Sequence, residues 1–232
     1  MLFYPLAATL ISAAFALTLW LQYRIKRRPF TLAWAIALTI YAVAALTETL
    51  GAGGLWNAFL YKTYYFTAAI LLVGVLGLGS VYLLAPRYAS LALTVLVLLA
   101  AIGLVGVIGA QVGSAFLETR QVPQRFPTGG IFNALAIATA VLINISGTVV
   151  LVGGALWSAY GLWRRGQPRE RVWSMVLIAV GALVVASGTG LSRLGVYELF
   201  YVSQAVGVLI MFAGFLTTQR VPRRAATRAI EA

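Results

Sequence analysis

Apolar residues along the chain gather into seven long runs, about 3–23, 30–50, 56–84, 88–112, 131–162, 172–191 and 197–218, separated by short stretches where charge, glycine and proline collect. At a rise of about 1.5 Å per residue, about 20 apolar residues cross the roughly 30 Å hydrocarbon layer of a bilayer, so each run is long enough for one helical crossing. The third and fifth runs exceed a single crossing, which predicts tilt or extension beyond one membrane surface. The pattern predicts an all-α, polytopic membrane protein: a seven-helix transmembrane domain over 1–218 and a basic tail over 219–232. The first run opens two residues into the chain with no small-residue cleavage site leading into a soluble domain. It reads as a retained helix rather than a removed signal peptide.

Charge falls almost wholly between the runs. Arg24, Lys26, Arg27 and Arg28, then Arg87, then Arg164, Arg165, Arg169 and Arg171, then Arg220, Arg223, Arg224 and Arg228 share one side, 13 of the 17 Lys and Arg residues. Lys62, Arg120, Arg125 and Arg193 fall on the other. Basic loops stay cytoplasmic, so this bias predicts an N-terminus outside and a C-terminus inside. Trp20, Trp34, Trp157, Trp163 and Trp173 fall near the cytoplasmic helix ends, where an interfacial aromatic belt belongs, and Trp56 marks the outer edge. The longest loop, 113–130, lies outside and carries Pro123 and Pro127. It reads as a solvated connector or as an extended cap across the outer mouth.

Composition narrows the chemistry. With 62% hydrophobic and 9% charged residues the chain is far from a soluble domain, and its net charge of +12 follows from topology rather than from a nucleic-acid partner. There is no cysteine or histidine, and all five acidic residues are glutamate. Histidine-ligated haem, zinc sites, thiol redox chemistry and histidine acid–base catalysis therefore lack their residues. Aspartate-rich, magnesium-dependent prenyl transfer lacks its metal ligands. The only lysines, Lys26 and Lys62, lie near helix ends rather than at the depth a retinal Schiff base needs, and no serine–lysine pair has a spacing that would activate a nucleophile. The expectation is a non-enzymatic protein with no cofactor and no metal.

Two stretches recur. "LWLQYRIKRRPFTLAWAI" at the end of the first run is similar to "LWSAYGLWRRGQPRERVWSMVLI" at the end of the fifth, and "LWNAFLYKTYYFTAAILLVGVLG" to "VYELFYVSQAVGVLIMFAGFL", at offsets of 137 to 141 residues. This suggests parallel repeats over 3–84 and 131–218 joined by the helix 88–112, an arrangement found in transporters with a site between the halves. Shared lipid-facing composition is the simpler explanation. Gly103, Gly106 and Gly109 in the fourth run, and Gly74, Gly77 and Gly79 in the third, read as places where neighbouring backbones approach.

Polar residues inside the runs concentrate toward the outer half: Asn144, Ser146 and Thr148 in the fifth, Ser203 and Gln204 in the seventh. They serve either as interhelical hydrogen bonds or as the lining of an outward-open pocket ringed by Tyr61, Tyr64, Tyr65, Tyr197 and Tyr201. Lys62, Arg193 and Glu198 sit at the outer boundary, where long side chains snorkel to the headgroups. Glu48 lies about one turn deeper, where an unpaired carboxylate must neutralise or find a cation. The short "GAGG" turn brings the second and third helices together, which makes Lys62 its expected partner and Arg193 the alternative. The candidate ligand-binding set is Glu48, Lys62, Tyr61, Tyr65, Asn144, Arg193, Tyr201 and Gln204.

"LYKTYYFTAAILLVGVLGLGSVYLLAPR", "GTVVLVGGALWSAY" and "ASGTGLSRLGVYELFYVSQAVGVLIMFAGFL" resemble a family of small bacterial seven-helix membrane proteins of uncharacterised function, and more loosely the seven-helix sensor modules of bacterial histidine kinases. The resemblance covers nearly the whole chain but rests on aromatic and glycine patterns, so it implies fold and no site residues. Only a basic tail follows the last run, so signalling of the kinase type would pass through a partner. The proline–glutamine motifs of sugar-transporting repeat proteins are absent from the membrane runs. The expected function is binding of a lipid-like or small hydrophobic ligand in an outward-facing pocket, as a receptor-like sensor or accessory subunit of a membrane complex, with membrane lipids and another membrane protein or signalling partner as partners. Facilitative transport of a small solute, about a site near Asn144 and Gln204, is the alternative.

Overall fold

In the computed structural model, residues 2–113, 117, 129–193 and 197–230 are described, the side chains of 190–193, 197–198 and 218–230 excepted. Seven helices among these residues are long and apolar enough to cross a membrane, which defines a multi-pass helical membrane protein. They are α1 (Phe3–Lys26), α2 (Pro29–Leu55), α3 (Ala58–Leu84), α4 (Ala89–Gly109), α5 (Gly130–Arg164), α6 (Arg169–Arg193) and α7 (Tyr197–Ile230). The helix α7 continues through the segment expected as a basic tail. The expected cap over 113–130, with Pro123 and Pro127, lies outside the described residues.

The turns explain the breaks between spans. Arg27, at φ 49°, closes α1 by donating its N–H to the Tyr23 carbonyl, and Pro29 opens α2 at a position where its missing N–H costs nothing. The Asn57 side chain caps α3 by accepting from the Leu60 N–H at 2.9 Å. Gly166, at φ 62°, lets the chain reverse after α5.

Six helices close a ring in the order α1, α2, α3, α5, α6, α7 and back to α1. The helix α4 stands outside it, packed on α3 and α5, and is the least buried of the seven. Glycines set the closest approaches. At the α3–α5 crossing a Cβ on Gly77 would meet the Gly147 Cα at 3.0 Å, and one on Gly147 would meet the Val73 carbonyl oxygen at 2.6 Å. Gly106 of α4 comes equally near the Ala136 backbone of α5, and Gly181 of α6 near Gly207 of α7. With lipid on the outside there is little hydrophobic drive between helices, so such backbone contact supplies the cohesion.

Two aromatic residues depart from the expected belt. Gly79 leaves room on α3 for the Trp34 indole, which turns into the bundle and donates to the Leu76 carbonyl at 3.2 Å. Trp56, at the turn between α2 and α3, is buried. Trp157, Trp163 and Trp173 remain largely exposed near the basic loops, as a belt requires.

Candidate functional site

The helix α3 is irregular where the polar candidates gather. Tyr65–Leu71 forms a π-helical turn, with the Leu72 N–H bonded to the Thr67 carbonyl five residues back. Such a turn leaves a backbone carbonyl unmatched, which lipid cannot satisfy. Asn144 of α5 donates into this turn: its amide bonds the Ala69 carbonyl of α3 and also the Ala140 carbonyl of its own helix at 2.8 Å. Both amide hydrogens are thereby used. Asn144 is thus an interhelical tie, as the simpler of the two readings has it. Ser146 is exposed and bonds back to the Leu142 carbonyl at 2.7 Å, so it lines nothing inside. Ser203 likewise bonds the Phe200 carbonyl of its own helix at 2.7 Å.

Toward the end opposite the basic loops, α2, α3 and α7 bring together Tyr41, Glu48, Tyr61, Tyr64, Tyr65, Tyr201 and Gln204, all buried. Tyr41 reaches across the ring from α2 to α7, where its hydroxyl donates to Gln204 Oε1 at 2.6 Å and lies 3.0 Å from the Gln204 carbonyl. This bond closes the bundle interior at that level. Trp56 lies over the cluster, edge-on to Tyr61 at 6.3 Å and to Tyr64 at 6.0 Å between ring centroids. Its seat exists because residue 51 is glycine: a Cβ there would fall 2.0 Å from the indole.

Glu48 is 5% exposed and its Oε1 accepts no hydrogen bond from the described residues; among these the Trp56 indole N–H also finds no acceptor. The expected pair with Lys62 does not form, because the Lys62 ammonium crosses to α4 and donates to the Ile108 carbonyl at 2.7 Å. A carbonyl near a helix C-terminus is a partner that a lysine at the membrane boundary reaches without desolvating a second charge. The alternative partner, Arg193, has its side chain outside the described residues, as do Tyr197 and Glu198. Tyr41 was absent from the candidate set. Its signal in the sequence is its place seven residues before Glu48, on the same helix face.

A cavity lies elsewhere, toward the basic loops. Its volume is about 50 Å³, and its lining comes from all six ring helices: Leu19 of α1, Trp34 and Leu38 of α2, Leu76 and Ser80 of α3, Leu151 and Ala155 of α5, Met175 of α6, Met211 and Phe215 of α7, among others. Apart from Ser80 and Ser158 the lining carries no polar side-chain oxygen. None of the seven candidate residues whose side chains are described lines it. Four arginines at this end lie over aromatic rings: Arg27 on Tyr23, Arg28 on Phe30, Arg87 on Tyr88 and Arg164 on Tyr160.

No group of three or more potential metal ligands occurs among the described residues. No protein-family model, curated protein or solved structure matches the chain, so the site is read from its own geometry.

Proposed function

We propose that this is a non-enzymatic, multi-pass protein of a bacterial inner membrane, N-terminus outside, that holds an apolar ligand such as a lipid chain inside its ring of helices, acting as a receptor-like sensor or an accessory subunit. The observation that carries this reading is the cavity lined by six helices with almost no polar atoms. Its lining offers only two side-chain hydroxyls, which favours hydrocarbon over a polar solute, and its volume of about 50 Å³ suits a short stretch of a chain rather than a whole ligand. The arginine–aromatic pairs at the same end suit the anionic headgroup of an amphiphile whose tail enters the cavity. Relative to the outward-facing pocket expected from the sequence, the ligand moves to the cytoplasmic half.

The test is native mass spectrometry of the protein released from nanodiscs, with Ala155→Phe as the cavity-filling variant. Retention of a lipid or isoprenoid by the wild type and its loss in the variant support the reading. A wild type carrying no such molecule sinks it.

Facilitative transport is the second reading, favoured by the ring order, in which α1–α3 and α5–α7 follow one another with α4 outside. That order suits two parallel repeats around a shared centre. A cavity at one end and a buried cluster closing the other correspond to one state of an alternating-access cycle. Solute flux into proteoliposomes that is unchanged by Asn144→Ala and Gln204→Ala would exclude a site at those residues.

A further inference from the structure

One of the two hydroxyls on the cavity wall is left free by its own helix. We propose that Ser80 holds the ester carbonyl of an acyl chain that enters beside the end of α3, a specificity that rests on the lipid reading and narrows it to ester-linked chains.

Serines in a lipid-immersed helix return their hydroxyl to a carbonyl three or four residues back, as Ser12, Ser146 and Ser203 do. Ser80 does not. It is 5% exposed and lines the cavity, and no group among the described residues takes its hydroxyl. The carbonyl four residues back belongs to Leu76, and the Trp34 indole occupies it at 3.2 Å. A buried hydroxyl without a partner costs free energy, and a water beside it would need about three polar partners where the wall offers two hydroxyls. An ester carbonyl supplies what is missing. It accepts a hydrogen bond, brings no charge into the apolar enclosure and has no donor of its own to satisfy.

The way in is set by where α3 stops. The helices α3 and α5 keep one register from Gly77 against Gly147 to Leu84 against Gly154, where a Cβ would lie 2.9 Å from Leu84 Cδ1 and 3.6 Å from Ser80 Cβ. At Gly147 the seam is backbone on backbone, whereas at Gly154 it is closed by side chains, which can rotate. Leu84 is the last residue of α3, after which the chain leaves the ring through Pro86–Tyr88 toward α4, while α5 continues about 15 Å further to Arg164. On α1, α2, α5 and α6 the lining ends at least a turn before the helix does, at Leu19, Trp34, Ser158 and Met175; on α3 it runs to the terminal Leu84. Leu83 and Leu84 line the cavity and are also 39% and 41% exposed, so the enclosure meets the surface there. Ser80 lies one turn, about 6 Å, inside that mouth, where the linkage just below a headgroup arrives when its chain is inside.

The experiment compares two single-chain phosphatidylglycerol analogues of equal length, one ester-linked and one ether-linked, binding to the full-length protein in nanodiscs and read by native mass spectrometry. The wild type should prefer the ester about five-fold, the worth of one hydrogen bond. Ser80→Ala should abolish that preference, keep the affinity for the ether and unfold at the wild-type temperature, because it removes no hydrogen bond within the protein. The chain has no cysteine, so Leu84→Cys offers a single thiol at the mouth. A bulky maleimide there should block uptake of both analogues, and the same reagent on Leu10→Cys, exposed on the far half of α1, should not. Equal affinity of the wild type for the two analogues, a preference that survives Ser80→Ala, or uptake past the blocked thiol of Leu84→Cys overturns the proposal and leaves the lipid reading standing. Binding of neither analogue, with Ala155→Phe no different from the wild type, overturns both.

Discussion

Replacing Gly147 by alanine tests whether the α3–α5 crossing holds the ring together. The added methyl would lie 2.6 Å from the Val73 carbonyl oxygen, 2.8 Å from its carbon and 3.0 Å from Val73 Cγ1. Two of these atoms are backbone, so no rotamer change relieves them. Carbon contacts are most favourable near 3.5–4.0 Å, which requires α3 and α5 to separate by about 1 Å. Overpacking of this kind costs about 1–3 kcal/mol. The bond from Asn144 to the Ala69 carbonyl lies one turn away on the same seam, and stretching it adds about 0.6 kcal/mol. The total is a loss of about 1–3 kcal/mol, because the gain in helix propensity, at most about 1 kcal/mol in water, offsets only part. Gly153 and Gly161 of the same helix provide the comparison, since a Cβ on either meets nothing within 4 Å. Reversible unfolding of the three alanine variants, by steric trapping or denaturing detergent, should find Gly147→Ala well below the other two. If all three agree within about 0.5 kcal/mol, the close crossing does not carry the stability assigned to it.

Asn144→Ala should cost about 0.6–1.7 kcal/mol in the same assay, because it removes the hydrogen bond that crosses from α5 to the Ala69 carbonyl in the π-helical turn; an unchanged stability would mean that this bond does not tie the two helices. Tyr41→Phe removes the hydrogen bond that ties α2 to α7 at that level, takes the donor away from Gln204 Oε1, and should cost about 1–3 kcal/mol while increasing hydrogen exchange near Gln204. Gly51→Ala should expel Trp56 from its seat and raise quenching of its fluorescence by iodide; quenching equal to that of the wild type would show that the indole is not held there.

The sequence by itself determined the number, length and position of the membrane spans. Crossing a bilayer is a local requirement: about 20 apolar residues, with every backbone polar group satisfied inside the segment. The spacing of Gly74, Gly77 and Gly79, and of Gly103, Gly106 and Gly109, was also legible as packing, because a missing side chain on a lipid-immersed helix has few other uses. Burial of Glu48 followed from its depth. Its partner did not, because pairing depends on how α2, α3, α4 and α6 are rotated about their axes, which runs apolar on every side leave unspecified. Only the tertiary structure sends Lys62 to a carbonyl of α4 and turns Trp34 inward onto Gly79. The position of the cavity is equally non-local. It lies toward the basic loops because six helices leave space among Leu19, Leu38, Leu76 and Met211, whereas at the other end tyrosines and Trp56 are large enough to fill the ring. No one segment records that difference in volume.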